Sequence, residues 1–264
     1  MFYWHKKIKK RSPDRFFTFV SVACYNYVIM QFIPVKTKIF LPPQDDLFTE
    51  FESSLPELQE GDVVLISSKV VAISEGRCVP IEDADKTKLV ESEADYIIPT
   101  DYRPQPLTIK NNTFLGAAGI DESNGNGYYV LLPEDSFISA QKIHDFLLQK
   151  FSLTNLGVII TDSRSLPLRY GATGVALGWW GIAPLQDHIG SSDLFGRVFK
   201  YERSNIVDGI AAAANLVSGE TDECMPIVIA RGIPNLVFKD GNTKAELFSP
   251  IEDDTFRVLY RGLI

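Results

Sequence analysis

The chain of 264 residues is 45% hydrophobic and 23% charged, a globular composition that can bury a full core as one large domain or two modest ones. Its net charge of −8 and pI near 5.0 argue against nucleic-acid binding, and an acidic protein that handles phosphates usually recruits a divalent cation. The cysteines Cys24, Cys78 and Cys224 are too scattered for a disulfide framework or a zinc site, and they are typical of a reducing cytoplasm.

The first 29 residues differ in composition from the rest. Residues 1–15 carry six basic side chains against one acid, and residues 16–30 run largely apolar. This pattern resembles a signal or anchor, although the apolar run is shorter than the ~20 residues that a transmembrane helix needs. The pattern also fits an interfacial or loosely packed arm, or translation that starts at Met30. We assign residues 1–29 to a leader outside the fold and residues 30–264 to one domain, cytoplasmic and without membrane association unless the leader is real.

Apolar patterns predict both strands and helices in the first part of this domain. Residues 32–40 alternate well enough for a strand, and a short helix follows from Asp45. The apolar run from Val63 to Ile66 comes after a Gly-Asp turn and predicts a buried strand. A helical segment follows around residues 86–96.

The second part continues with longer elements. A Ser cap and the apolar spacing predict an amphipathic helix from Ser139 to Phe151. Residues 156–163 form a buried strand that ends in an acid, and residues 171–181 form a Gly-rich strand. A helix over residues 204–219 and a strand over residues 225–232 complete the pattern. Strands and helices without a regular alternation predict an α+β fold or a complex α/β arrangement.

Acids at strand ends are the main candidates for chemistry. No Walker-type loop, nucleophile elbow or dinucleotide fingerprint occurs in the sequence. Asp162 follows a buried strand, and Asp121 follows the apolar residues 117–120. Each is either a cap or turn residue or one ligand of a Mg²⁺ or Mn²⁺ site, to which Ser163 would add a hydroxyl. The Asn- and Gly-rich loop after Asp121 is likewise a turn, or a metal or phosphate site.

Two further features have a functional and a structural interpretation. Lys69 lies at the end of the first buried strand, where an ammonium group contacts phosphate oxygens or is simply solvated. Residues 218–220 follow a helix and offer backbone N–H groups to a ligand, or form only a C-cap.

A series of motifs resembles the coenzyme F420 gamma-glutamyl ligase family in the right order. The motifs run from about Phe32 to Arg231 and include AGIDESN, LLPEDSFISA, VIITDS, GVALGWWGIAPLQDHIG, DLFGR, VDGIAAAANLVSGE and PIVIARG. The resemblance implies a ligase that adds L-glutamate to a carboxylate at the expense of GTP or ATP and uses Mg²⁺ or Mn²⁺. It also implies an α+β fold of mixed sheets and packed helices without a P-loop, in an intertwined homodimer.

Site residues follow from this resemblance position by position. Asp121, Asp162 and Ser163 match metal ligands, and Asp121, Asp162 and Lys69 match the catalytic set. The nucleotide contacts that the resemblance implies are Ser68, Lys69, Asn124, Ser218, Gly219 and Glu220.

Departures from the family pattern concern the substrates. Ile73 stands where the family has a nucleotide-side lysine, and TDSRSLPLR lacks an aromatic residue and a glycine of the family motif. PPQDDL and SSKVV resemble a bacterial branch assigned to folate metabolism, so the implied acceptor is folate-type or F420-type. Loss of the lysine motivates an alternative, a nucleotide- or deazaflavin-binding homologue that does not ligate. For a third function, metal-dependent phosphate hydrolysis, the sequence offers no separate nucleophile or His base.

Overall fold

The computed structural model describes residues 29–98 and 106–260. The leader predicted over residues 1–29 therefore lies outside the described residues, except for its last position. Within these two ranges, none of the helices has both the length and the apolar character to cross a membrane.

The fold mixes short strands with helices of very different lengths. The strands are β1 (Gln31–Val35), β2 (Val63–Ser67), β3 (Cys78–Pro80), β4 (Tyr96–Ile98), β5 (Leu107–Lys110), β6 (Thr113–Gly116), β7 (Tyr128–Val130), β8 (Gly157–Ser165), β9 (Ala172–Trp180), β10 (Leu185–Asp187), β11 (Arg203–Asn205) and β12 (Ile227–Arg231). The α-helices are α1 (Leu47–Ser54), α2 (Ser68–Ser74), α3 (Lys86–Glu93), α4 (Ser136–Phe151), α5 (Ile206–Ser218) and α6 (Lys244–Leu247). The α+β class with mixed sheets is confirmed for the described residues.

A five-stranded sheet in the order β1-β12-β2-β8-β9 forms the centre. The pair β2–β8 is parallel, and the other three pairs are antiparallel. The last strand, β12, thus lies between the first two. Smaller sheets pair β3 with β7, β10 with β11, and β4, β5 and β6 with one another.

Both faces of the central sheet are covered, which explains the uninterrupted apolar run of β2. Val64 and Ile66 face a core formed with α1, α2 and α4. Their neighbours Val63 and Leu65 face a second core, formed with α5 and Trp179.

Several predicted boundaries were wrong because side-chain caps decide where helices start. The predicted cap Ser139 lies inside α4, and Asp135 caps this helix by accepting from the N–H groups of Phe137 and Ile138 at 2.8 and 3.2 Å. Asn205 similarly caps α5, so this helix begins at Ile206 and not at Ser204, whereas the predicted stop at Gly219 is confirmed because Gly219 is the C-cap.

The predicted strand over residues 32–40 is shorter than expected. β1 ends at Val35, and residues 37–41 run along a cleft. Likewise, the helical segment predicted over residues 86–96 ends at Glu93, and Tyr96 begins β4.

Apolar side chains are strongly exposed on two segments. Leu168 and Tyr170 lie before β9, and Leu194, Phe195 and Tyr201 lie between β10 and β11, all at least 89% exposed. Large apolar side chains that are this exposed are candidates for an interaction surface.

Candidate functional site

A cleft of about 830 Å³ opens at the carboxyl ends of the parallel strands β2 and β8. Ser67 pairs with Thr161 at these ends, so Lys69 in the first turn of α2 and Asp162 on β8 are brought to one place. Ligands commonly bind at the carboxyl ends of neighbouring parallel strands. The predicted residues that line the cleft are Lys69, Asp121, Asn124, Asp162, Ser163, Ser218, Gly219 and Glu220.

Lys69 and Asp121 form an ion pair inside this cleft. Lys69 Nζ lies 2.5 Å from Asp121 Oδ2 and donates to the carbonyl oxygen of Ser123 at 2.9 Å. Asp121 Oδ1 accepts from the backbone N–H and the hydroxyl of Ser123, at 2.8 and 2.9 Å. Burial opposes ionisation of Asp121, but the hydrogen bonds and charge of Lys69 outweigh it and lower the pKa of this carboxyl.

Asp162 has the opposite electrostatic balance. Burial, followed by repulsion from Asp121 and Glu220, raises the pKa of Asp162 to about 7, although the N–H of Ser163 donates to Oδ1 at 2.8 Å and Lys69 lies nearby. The charges of Asp121 and Asp162 therefore act on each other within one cleft. A bound cation would relieve this repulsion.

The other wall of the cleft is the loop that follows α5. Glu220 accepts from Asn215 Nδ2 at 2.7 Å and from the Ser163 hydroxyl at 3.4 Å. Asn124 Nδ2 donates to the carbonyl oxygen of Thr221 at 2.9 Å, which connects this wall to the loop after Asp121. The two loops thus meet across the cleft.

The alternation of Asn and Gly after Asp121 has a conformational cause. Asn124, Asn126 and Gly127 all have positive φ. At Gly125, a Cβ atom would come within 2.2 Å of the carbonyl oxygen of Tyr128. The segment is a tight turn, and the turn presents Asn124 and Asn126 to the cleft.

The donor set suits a hard divalent cation that binds with a ligand. Among the described residues, no three His, Cys, Asp or Glu side chains cluster closely enough to hold a metal alone. Asp121, Asp162 and Ser163 would supply two carboxylates and a hydroxyl, and Mg²⁺ is commonly held by one or two carboxylates, water and substrate phosphates. The mutual repulsion of the acids around Asp162 favours a cation there. These residues therefore fit Mg²⁺ or Mn²⁺.

Ser68, a predicted nucleotide contact, and Ile73, where the family has a lysine, are both buried. Ser68 is buried, and its neighbours Ser67 and Lys69 line the cleft. Ile73, where the family lysine was expected, is only 2% exposed and contributes an apolar part of the wall.

Sequence reasoning missed the segment of residues 37–41, which also lines the cleft. Its fold depends on Asp45, whose carboxylate pairs with Lys38 Nζ at 2.7 Å and accepts from the N–H of Leu41 at 3.2 Å. The PPQDDL stretch that directly follows it, which resembles the bacterial branch of the family, was the signal that pointed to this region.

Comparisons with known proteins identify the family to which the chain is similar. The family model described as F420-0:Gamma-glutamyl ligase matches residues 35–232. A coenzyme F420:L-glutamate ligase of Methanopyrus kandleri is 34% identical over 242 residues, which cover 84% of this chain and 94% of that relative. Enzymes of the same name from Methanothermobacter thermautotrophicus and Methanocaldococcus jannaschii are 36% and 33% identical, over 76% and 86% of this chain and 86% and 97% of the relatives.

Proposed function

This chain belongs to the F420-0:gamma-glutamyl ligase family, and we propose that it joins the amine of L-glutamate to a carboxylate of a folate-type or F420-type acceptor at the expense of GTP or ATP. The observation that carries the proposal is the meeting of Lys69, Asp121 and Asp162 in a cleft of about 830 Å³. A cleft of this volume can hold a nucleotide.

The reaction forms an amide from a carboxylate that must first be activated. An oxygen of the acceptor carboxylate attacks the γ-phosphorus, the bond to the β-phosphate oxygen breaks, and the nucleoside diphosphate leaves. The neutral amine of glutamate then attacks the acyl carbon of the acyl phosphate. Phosphate leaves with the bonding electron pair, and the nitrogen loses one proton.

Each side chain has a role in this scheme. Asp121, Asp162 and Ser163 hold Mg²⁺ or Mn²⁺, which when bound offsets the charge of the phosphates. Lys69 exchanges its partner Asp121 for phosphate oxygens, so the ammonium group stays neutralised before and after the nucleotide binds.

The loops on both sides of the cleft hold the nucleotide. Asn124 contacts it from the turn after Asp121, and Ser218, Gly219 and Glu220 contact it from the loop after α5. Ile73 and the apolar residues near it form a surface against which the base packs.

Two observations bear on the identity of the acceptor. The names of the relatives favour an F420-type acceptor. The PPQDDL and SSKVV stretches, which resemble the bacterial branch assigned to folate metabolism, favour the folate-type acceptor.

Reactions with each acceptor test the proposed function. The purified protein is incubated with GTP or ATP, Mg²⁺ or Mn²⁺, L-glutamate and one acceptor, and phosphate release and product mass are measured. We expect glutamate-dependent phosphate release and an acceptor that is heavier by one glutamyl residue. The absence of both products with every combination would overturn the assignment, and release without glutamate would indicate a phosphohydrolase.

The buried Ile73 supports a second candidate, a homologue that binds nucleotide but does not ligate. Calorimetry with GTP and Mn²⁺ separates the two candidates. Binding without any glutamate-dependent turnover would favour the second.

We also propose that the chain acts as a homodimer. The exposed Leu194, Phe195 and Tyr201 and the neighbouring pair Leu168 and Tyr170 support this, because a second copy would cover them.

A further inference from the structure

A second cavity, of about 250 Å³, lies beside the outer part of β8. It is bordered by the β4-β5-β6 sheet, the start of α5 and the C-terminal segment that includes Tyr260. At ~30 Å³ per water molecule it holds about eight waters, which is the scale of one amino acid and too small for a nucleotide. None of the roles assigned above uses this cavity.

Arg164 lines the cavity without a partner. Its Nε atom is buried and has no hydrogen-bond partner, and its guanidinium makes no ion pair with any of the described residues. Because Nε is already covered by protein atoms, a ligand in the cavity would be held by the two terminal nitrogens, for which the described residues also provide no hydrogen-bond partner. A guanidinium group is matched in shape by a carboxylate, which it binds through two parallel hydrogen bonds.

The acids around the cavity are already engaged by neutral donors. Asp208 accepts from the N–H of Ala176 at 2.9 Å and from Asn205 Nδ2 at 2.7 Å. Asp95 accepts from the N–H of Asn111 at 2.6 Å.

Asp254, on the C-terminal segment, accepts from the N–H of Phe256 at 3.0 Å and from the Tyr260 hydroxyl. None of these three acids forms an ion pair within the described ranges, so Arg164 faces uncompensated negative charges that it does not contact. A small ligand with both a carboxylate and an ammonium group matches this distribution, whereas a polyanion is repelled.

The position of Arg164 relates this cavity to the cleft. Arg164 and Asp162 are two residues apart on β8, so their side chains project to the same side at a spacing of about 6.6 Å. A carboxylate on Arg164 would thus hold the rest of its molecule next to the acid that we assign to the metal site.

We propose that this cavity is the L-glutamate subsite of the enzyme, an inference that rests on the proposed ligase function. Arg164 binds the α-carboxylate, and the adjacent amine points along β8 toward Asp162, where the acyl phosphate is formed. The negative charge of Asp95, Asp208 and Asp254 attracts the ammonium form of the substrate and keeps the nucleotide out. Arg164 is a binding and positioning residue in this scheme and takes no part in bond making.

Binding of radiolabelled L-glutamate tests the subsite without turnover. Equilibrium dialysis uses protein saturated with Mg²⁺ and a non-hydrolysable GTP analogue. We expect Arg164→Gln to weaken glutamate binding at least tenfold and Arg164→Lys to restore part of the loss. The control Arg203→Gln removes an exposed guanidinium that pairs with Asp187 and should stay within twofold of the wild type.

Kinetics and nucleotide binding give the second readout. We expect Arg164→Gln to raise the KM for glutamate by the same factor by which it weakens glutamate binding. The affinity for the GTP analogue should stay unchanged. Wild-type glutamate affinity in a folded Arg164→Gln protein that still binds the nucleotide would overturn the subsite. In the wild type, 4-aminobutyrate lacks the α-carboxylate and should not displace glutamate, and equal displacement would also overturn it.

The subsite and the ligase function fail in different ways. Turnover with an unchanged KM for glutamate in Arg164→Gln would remove the subsite and leave the ligase function. If the wild-type protein binds glutamate through Arg164 but releases no phosphate, the subsite stands and the ligase function is wrong.

Discussion

Asp162 keeps a carboxyl group partly buried at the end of the cleft, with Asp121 and Glu220 close enough for their charges to disfavour its ionised form. An unfolded aspartate ionises near pH 3.8, so between this pH and about 7 the folded, metal-free protein binds more protons than the unfolded chain. The contribution of Asp162 to the free energy of unfolding therefore falls as the pH rises through that window. Above the folded pKa, for example at pH 8, Asp162 is ionised and its destabilising effect on the metal-free fold is complete.

Asp162→Asn should consequently separate stability from activity. In the metal-free protein at pH 8 we expect a higher Tm than in the wild type, by about 2–4 °C for each kcal/mol recovered at this chain length, and no difference near pH 4. Calorimetric melting at both pH values measures this. Ligation at saturating nucleotide should fall at least ~100-fold, because the variant would lose one of the proposed metal ligands. Full activity of the variant would contradict our assignment of Asp162.

Lys69 is the second residue with a distinctive prediction. Lys69→Gln should weaken GTP binding about tenfold or more, because a charge-assisted contact to phosphate is lost. Calorimetric titration with GTP and Mg²⁺ measures it. The matched control is Lys88→Gln on the exposed face of α3, and equal affinities in both variants would show that Lys69 does not contact the phosphates.

At the scale of elements, the N-cap of α4 illustrates how the sequence misled prediction. Ser139 is a good capping residue, but Asp135 accepts from two N–H groups, and the Ser139 hydroxyl donates instead to the carbonyl oxygen of Asp135 and to the carboxylate of Glu75. We expect Asp135→Ala to lower the free energy of unfolding by about 1 kcal/mol. Urea titration checks this, with Asp145→Ala on the exposed face of the same helix as the control.

One carboxylate connects helix α3 to β5 and to the residue that precedes β3. Glu93 at the end of α3 pairs with Arg77 at 2.8 Å and with Lys110 of β5. Burial opposes its ionisation, but the two cations outweigh this effect and lower the pKa of Glu93.

Because the folded pKa of Glu93 is depressed, its stabilising effect is present above the unfolded value near 4.5 and is lost as the pH falls through the folded pKa. We expect Glu93→Gln to lower the free energy of unfolding by about 1–3 kcal/mol at pH 7. The difference from the wild type should shrink toward pH 3. Denaturant titrations across this range test it, and a difference that does not change with pH would contradict it.

The sequence predicted the elements better than their contacts. Val63 to Ile66 and residues 156–163 were recognisable as buried strands because both contain an apolar run, and both lie at the centre of the sheet. Short strands such as β3 and β4 were not predicted, since three residues carry too little periodicity.

Prediction of the site depended on the kind of signal that each residue carries. The motifs around Asp121 and Asp162 named both acids, but only the parallel pairing of β2 with β8 brings Lys69 to them. Arg164 gave no signal, because the role that we propose for it depends on a cavity whose walls come from distant parts of the chain.

At the scale of the whole molecule, the exposed apolar side chains lead us to expect a dimer in which a second copy covers them. We expect sedimentation equilibrium to show a dimer for the wild type. Phe195→Glu should produce a monomer, because a buried charge in the interface would lack a partner. Ile138→Glu on the exposed face of α4 is the control and should leave the dimer intact. A monomeric wild type would contradict the homodimer.

The place of β12 in the central sheet has a consequence for how the chain is synthesised. Since β12 lies between β1 and β2, β1 has no partner in this sheet and β2 has only β8 until residues 227–231 have left the ribosome. During most of translation the nascent chain therefore exposes β1 with its backbone groups unpaired, and one edge of β2 stays open as well. The central sheet is therefore complete only after β12 has been synthesised. Chains that terminate before Ile227 should be captured by chaperones or aggregate rather than fold.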